Sequence, residues 1–466
     1  MTVAFFSSEV FPFAKTGGMA DVCGALPLAL EELGIPVIIV MPKYKTFKAD
    51  GMTVRKLPNG VVTTRMGKNI SVYFIEGTRY FDREGLYGDE KGDYVDNLER
   101  FAFYCLRALQ LLKEENLAVD IVHCHDWPSS LAVAYLKCFY KNDPFFKKTK
   151  SVLTIHNLAY QGIFPKKEFS KLKLDEKSFS PEAFEFYDQI NLLKGGITLS
   201  DAVSTVSPTY AHEIQTPALG CGLDGVLKKR GDRIWGILNG LERKFWDPQN
   251  DSFLIQRYSR TDFHSKLANK RHLQEELGLP KRDHPLLGFV GRLSHQKGLD
   301  LVSEAIAEIA KRNLQMVFLG IGEKKYQELL RQMARRYPQK IAVHLSFDEP
   351  LAHRIYAGSD IFLMPSRYEP CGLSQMIALY YGTIPLVHKT GGLADTIFPF
   401  DALKGRGNGF VFEEYTPEAL VEAIQEAVDA FHNREVFERL VQKAFSHDFS
   451  WGKSAGDYQR LYESLR

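Results

Sequence analysis

The chain has 466 residues, 45% hydrophobic and 25% charged, and its 59 Lys and Arg nearly cancel 57 Asp and Glu, leaving a formal charge of +2. This excludes a disordered or fibrous chain, gives no electrostatic footprint for nucleic acid or an anionic membrane, and at this length predicts two or three domains. No run reaches the about eighteen apolar residues of a membrane span, MTVAFFSSEV lacks the features of a signal peptide, and six scattered cysteines without a CxxC pair read as reduced, mostly buried thiols of a cytoplasmic protein.

Short apolar runs alternate with helical patterns from end to end. A strand at Val3–Phe6 leads into the loop Phe13–Asp21, then a helix whose stripe Met19, Val22, Leu26, Leu30 and Leu33 stops at Gly34, a glycine suited to a C-terminal cap. Strands follow at Val37–Met41, Asp120–His123, Val152–Ile155, Ala202–Thr205 and Ile234–Leu238. The second series runs Leu286–Val290, Gln315–Leu319, Ile341–Leu345, Asp360–Met364, Ile384–His388 and Gly409–Phe412. Runs with little alternation suit parallel strands covered on both faces. Two such series predict an α/β protein of two doubly wound, Rossmann-like domains. The expected division is 1–240, 241–447 and a terminal helix 448–466, whose Phe449, Trp451, Tyr458, Leu461 and Tyr462 suggest docking back on the first domain.

Three loops carry the groups that chemistry on a phosphorylated sugar requires. In the first, Gly17 and Gly18 permit close backbone approach, the next helix offers free N–H groups to an anion, and Lys15 adds a positive charge. The spacing is not that of a Walker motif, and a tight turn beside a solvated lysine is the plainer alternative. In the second, Gly288-Phe-Val-Gly-Arg-Leu-Ser-His-Gln-Lys-Gly298 puts Arg292 and Lys297 between a strand end and a helix, where two cations neutralise the charge built by a departing diphosphate. In the third, Ser366–Leu373, Glu369 stands where a carboxylate accepts sugar hydroxyls, faces an oxocarbenium ion, or simply caps the helix. Gly372 and Leu373 open that helix toward a phosphate, and Cys371 reads as a packing residue. KTGG recurs at Lys389–Gly392, again after a strand. In the first half, Asp126 and His156 at strand ends are candidates to bind sugar hydroxyls. The His-Cys-His of residues 123–125 has no further ligand in register, so no metal is assigned there. Nor does the chain contain Asp-x-Asp, the usual holder of a divalent ion on a donor diphosphate. With Lys15, Arg292 and Lys297 present, no metal or other cofactor is expected.

These segments together resemble the bacterial glycogen synthase and plant starch synthase family. The matching pieces are KTGGMADV, LYGDEKGDYVDNLERF, HCHDW, TIHNLAYQG, ILNG, GRLSHQKGLDL, SRYEPCGLSQ and YGTIPLVHKTGGLADT, in the family's order over nearly the whole chain. The resemblance implies the GT-B architecture with an interdomain cleft. It implies transfer of glucose from ADP-glucose, with retention of configuration, to the non-reducing end of an α-1,4-glucan such as glycogen. It implies that Lys15, Gly17 and Gly18 contact the donor, that Arg292 and Lys297 hold its phosphates, and that Glu369, Asp126, His156 and Asn239 surround the glucose. Cys371, Gly372, Leu373, Thr390, Gly391 and Gly392 fall on the donor side, and Tyr160 and Gln161 on the acceptor side. Met19 replaces the family's usual leucine, and Glu242 its usual aspartate after Asn-Gly. Ile377 stands where other retaining GT-B families carry a second glutamate, which weighs against a sucrose- or trehalose-type enzyme. An inactive glucan-binding scaffold is the reading from another class; it has no use for a phosphate clamp. The expected mechanism is front-face, the leaving diphosphate helping to deprotonate the incoming 4-hydroxyl, with Glu369 binding sugar hydroxyls or acting as nucleophile. Charged groups from the two domains are expected to meet at the bond being broken.

Overall fold

The computed structural model describes residues 1–47, 51–231, 234–243, 245–402 and 404–466. They form two compact units, Met1–Gly240 together with Trp451–Arg466, and Leu241–Ser450.

The first unit holds strands β1 (Val3–Phe6), β2 (Val37–Pro42), β3 (Arg55–Leu57), β4 (Val61–Met66), β5 (Ile70–Ile75), β6 (Ile121–His125), β7 (Lys150–Ile155), β8 (Ala202–Thr205) and β9 (Ile234–Gly236). They make one sheet in the order β9-β8-β7-β6-β1-β2-β5-β4-β3, parallel from β9 to β5 and antiparallel at the β5-β4-β3 edge. The chain leaves β1 toward β2 and later returns to lay β6 on its other side, so β1 and β6 flank a topological switch point. In open α/β sheets ligands bind beyond the strands' carboxyl ends at that point.

The second unit holds β10 (Leu286–Val290), β11 (Gln315–Leu319), β12 (Ile341–His344), β13 (Ile361–Met364), β14 (Ile384–His388) and β15 (Phe410–Phe412). Their order is β12-β11-β10-β13-β14-β15, parallel throughout. Here the switch lies between β10 and β13.

Each strand expected from the sequence is present, with ends displaced by a residue or two. The hairpin edge β3–β5 was not expected. Its strands carry Arg55, Lys56, Thr63 and Arg65 toward solvent, so they lack the continuous apolar run that marks a doubly covered strand.

Helix α1 (Gly18–Glu32) buries Val22, Leu26 and Leu30 of the expected stripe, whereas Leu33 lies just past its end and is exposed. Gly34 takes φ +76, its N–H donates to Glu31 O at 2.9 Å, and Ile35 N donates to Leu30 O at 3.0 Å, which is a Schellman cap. Three further helices matter below: α2 (Asp126–Cys138), α3 (Leu299–Ile309) and α4 (Trp451–Glu463). The last packs on α1 and buries Trp451, Tyr458, Leu461 and Tyr462 in the first unit. The Tyr462 hydroxyl lies 2.8 Å from His123 Nδ1, and Ser454 Oγ donates to Leu238 O at 2.6 Å. A Cβ on Gly240 would stand 2.6 Å from Trp451, so this turn admits glycine alone. The chain rejoins the first unit at Trp451, shortly after Asp448, which pairs with Arg243 within the second unit at 2.6 Å.

All six cysteines are free thiols, with Cys138 and Cys221 exposed. Among the described residues no helix is long and apolar enough to cross a membrane.

Candidate active site

In the first unit the groups expected to bind substrate sit at the carboxyl ends of the neighbouring strands β1, β6 and β7. The KTGG loop is braced by a residue that sequence reasoning missed. Glu9 accepts hydrogen bonds from Thr16 N, from Thr16 Oγ1 at 2.7 Å, from Gly17 N at 3.2 Å and from the Tyr87 hydroxyl at 2.7 Å. The backbone N–H groups of Thr16 and Gly17, in the loop just before α1, are therefore taken by a protein carboxylate. Lys15 pairs with Asp21 at 2.7 Å, both partly exposed. Burial raises the Asp21 carboxyl above its usual range, and Lys15 pulls it back.

Beyond β6, Asp126 opens α2 with φ +54, a left-handed conformation that non-glycine residues adopt at a cost, most often where a side chain must be aimed. Its Oδ1 accepts from His156 N at 2.7 Å. Burial pushes the Asp126 carboxyl up to about 7, against hydrogen bonds from the backbone of His156 and Asn157 that lower it. His156, just past β7, is brought down to about 3 by burial, so its imidazole is neutral at working pH and both donates and accepts. Its Nε2 faces His125 Nδ1 at 3.0 Å. His123 is a structural pin, bonded to Tyr462 on one nitrogen and to Thr154 Oγ1 at 2.6 Å on the other. Burial also holds His123 and His125 well below the usual imidazole range.

This cluster sets a pH response. Between pH 6.5 and about 5 the unfolded chain protonates these imidazoles and the folded one does not, so their stabilisation, complete above 6.5, is lost as pH falls. Asp126 acts oppositely, since its folded form holds a proton that the unfolded form releases. Three imidazoles outweigh one carboxyl. The urea midpoint, measured with a chelator in the buffer, should fall from pH 7.5 to pH 5, and Asp126→Asn should steepen that fall. A flat midpoint would contradict the assignment.

Asn239 is buried, and its Oδ1 has no hydrogen-bond partner among the described residues. Gln161 is turned inward instead: Nε2 donates to Cys221 O at 3.0 Å and Oε1 accepts from Asn191 Nδ2 at 2.6 Å. Gly162 follows at φ +64, where a Cβ would stand 2.5 Å from the Trp127 ring. Tyr160 is half exposed.

In the second unit the loops beyond β10, β13 and β14 lie side by side. Lys297 Nζ meets Glu369 Oε2 at 2.6 Å, with side-chain exposures of 20% and 8%, and Ser366 Oγ donates to the same oxygen at 3.0 Å. The two loops are joined further by Arg367 N to Gln296 O at 2.9 Å and by Arg367 to Asp300 at 2.8 Å. Gly298, at φ +71, caps α3 where a Cβ would stand 1.9 Å from Pro365 O. Arg292 lies on the same loop, exposed.

The second KTGG loop packs closely on the Glu369 loop. Gly392 N donates to Glu369 O at 3.0 Å, and a Cβ on Gly391 or Gly392 would stand 2.0 Å from the carbonyl of Glu369 or Cys371. These glycines let Thr390–Gly392 lie against the Glu369 loop, so protein packing by itself requires them. Lys389, which echoes Lys15, pairs with Glu413 at 2.6 Å. Cys371 is buried as a packing residue, and Gly372 takes φ +72 before Leu373.

The starch synthase catalytic domain family matches residues 2–229, and the glycosyl transferases group 1 family matches residues 270–445. A glycogen synthase of Geotalea daltonii is 46% identical over 99% of this chain and 98% of its own length. A glycogen synthase of Bacillus cereus is 41% identical over the full length of both. The catalytic domain of starch synthase IV from Arabidopsis thaliana, solved with ADP and acarbose bound, superimposes with a TM-score of 0.90 at 33% identity, covering 100% of this chain and 99% of that one. A sucrose-phosphate synthase of Thermosynechococcus elongatus, at 18% identity and TM-score 0.61 over 100% and 98% of the two chains, shares the fold. With strand order, loop chemistry and these full-length matches in agreement, the chain belongs to the glycogen synthase and starch synthase family of glycosyltransferases, built on the GT-B fold.

Proposed function

We propose that this glucosyltransferase takes glucose from ADP-glucose and adds it, with retention of configuration and without a metal, to the non-reducing end of an α-1,4-glucan. The observation that carries the residue assignment is the Lys297–Glu369 pair at the switch point of the second sheet. A lysine there, joined by the exposed Arg292, supplies the positive charge that a leaving diphosphate needs. Glu369 is held by Lys297 and Ser366 with its carboxylate directed to the same place, which suits it to bind sugar hydroxyls beside the breaking bond. Asp126, neutral His156 and the unpaired Asn239 oxygen supply hydrogen-bond partners for the glucose, and Lys15 contacts the donor by leaving Asp21. Leu373 and Thr390 belong to the donor side, Tyr160 to the acceptor side. Gln161 makes one hydrogen bond within the protein at each amide end, which leaves a second N–H and a second lone pair, and it belongs with Tyr160 on the acceptor side.

The incoming 4-hydroxyl attacks on the face from which the diphosphate departs, and its proton passes to a diphosphate oxygen. No protein base is then required. That ADP and acarbose were bound in the Arabidopsis starch synthase IV domain supports the donor nucleotide and a glucan-like acceptor. Free cysteines suit the cytoplasm.

Labelled glucose incorporation into glycogen tests the reading. ADP-glucose should be used well above UDP-glucose, and EDTA should leave the rate unchanged. Glu369→Gln should lose at least about a hundredfold in turnover while the fold is retained, as circular dichroism would show. Full activity in that variant, or abolition by EDTA, would refute the scheme.

A further inference from the structure

Cys23 has no place in the scheme above, yet it lies against residues that do. Its thiol projects from α1 toward His125 at the end of β6 and His156 just past β7, and one ligand atom from each lies within 4.8 Å of the others. Cys23 and His125 are fully buried, while His156 keeps part of its surface in solvent, which gives an ion a way in. His125 is fixed by stacking on Phe5 at 5.0 Å and by the His123 ring at 4.2 Å.

Two details mark this trio as more than packing. The nitrogens of His125 and His156 face each other at 3.0 Å, a separation that needs a proton between them because two lone pairs repel. His125 Nε2 is buried with no hydrogen-bond partner among the described residues, a rare condition that calls for a ligand or a role. One thiolate and two neutral imidazoles are a donor set that zinc favours, at Zn–S about 2.3 Å and Zn–N about 2.0–2.1 Å. Tetrahedral ligand atoms then stand about 3.3–3.7 Å apart, so separations of up to 4.8 Å close by roughly 1 Å, while the facing imidazole nitrogens, at 3.0 Å, part slightly to admit the ion. Burial holds the Cys23 thiol protonated against an opposing hydrogen bond from Ser7, and the nearby Asp126 and Glu9 carboxyls add a little to the burial. The Glu9 carboxylate, and Asp126 once its proton has left, favour a divalent cation, which offsets the cost of the thiolate.

We propose that Cys23, His125 and His156 form a binding site for a soft divalent cation, zinc by its chemistry, and that occupation draws His156 from the sugar and stops transfer. On binding, the Cys23 thiol gives its proton to solvent, the proton shared by the imidazoles moves to a ring nitrogen away from the metal, and no oxidation state changes. The blocking half rests on the role proposed for His156; the coordination half does not. The site is inhibitory, so it is compatible with a metal-free reaction.

The enzyme, freed of thiols and chelators, is titrated with zinc chloride during transfer and separately with cobalt chloride while the visible spectrum is recorded. Zinc should inhibit reversibly by EDTA, and cobalt should give a thiolate charge-transfer band with tetrahedral d–d absorption. Cys23→Ser and Cys23→Ala should keep basal activity, lose the band and need at least tenfold more zinc for half-inhibition. Exposed Cys138 and Cys221 remain in both variants, so a band arising there would persist. A parent enzyme without the band, or variants that keep it, overturns the site. A band without inhibition, or inhibition that both variants retain, overturns the blocking role.

Discussion

Lys297→Met should fold and lose turnover by about a hundred- to a thousandfold, the cost of deleting one group that meets charge developing in a transition state. The expectation follows from position: Lys297 stands beyond β10 at the switch point, where it pairs with Glu369 in the ground state. Deleting it also leaves Glu369 buried without its cation. A fully buried broken pair costs about 3–5 kcal/mol; with Lys297 partly in solvent, roughly 2 kcal/mol is a better expectation. The double variant Lys297→Met/Glu369→Gln separates the two effects. It should recover most of the lost stability, since no uncompensated charge remains, and none of the lost turnover. Urea melts and single-turnover transfer measure both. Recovered activity in the double variant would show that Lys297 serves only to neutralise Glu369.

Tyr462→Ala should lower the stability of the first unit by about 3–5 kcal/mol, the usual cost of truncating a fully buried aromatic side chain. Tyr462 is fully buried and its hydroxyl lies against His123. Tyr462→Phe removes that bond alone and should cost about 1 kcal/mol. A urea unfolding series on the two variants checks both values, and equal losses would mean that α4 contributes little by packing.

The sheets were legible because doubly covered strands leave an unmistakable apolar trace: VAFF in β1, LLGFV in β10 and the IPLV that opens β14 contain nothing that water would keep. The edge β3–β5 escaped because half its side chains face solvent, although Gly67 at φ +61 in the β4–β5 turn was a readable signal. The loops that carry chemistry were legible as motifs, and less so as geometry. Nothing in KTGG says that Glu9, upstream in the same segment, occupies its N–H groups, or that Tyr87, distant in sequence, steadies Glu9. The same holds for Lys15, which reaches from the loop to pair with Asp21 in the first turn of α1. Cys23 read as one more buried thiol because its neighbours come from two other strands.

Because the chain quits the first unit at Gly240 and re-enters it at Trp451, synthesis imposes an order on assembly. Tyr462 cannot reach His123 until the whole intervening lobe has left the ribosome, roughly 10–40 s after Gly240 at usual translation speeds. The N-terminal lobe therefore cannot be completed until nearly all of its successor has been made, so the two lobes are not finished in simple vectorial order.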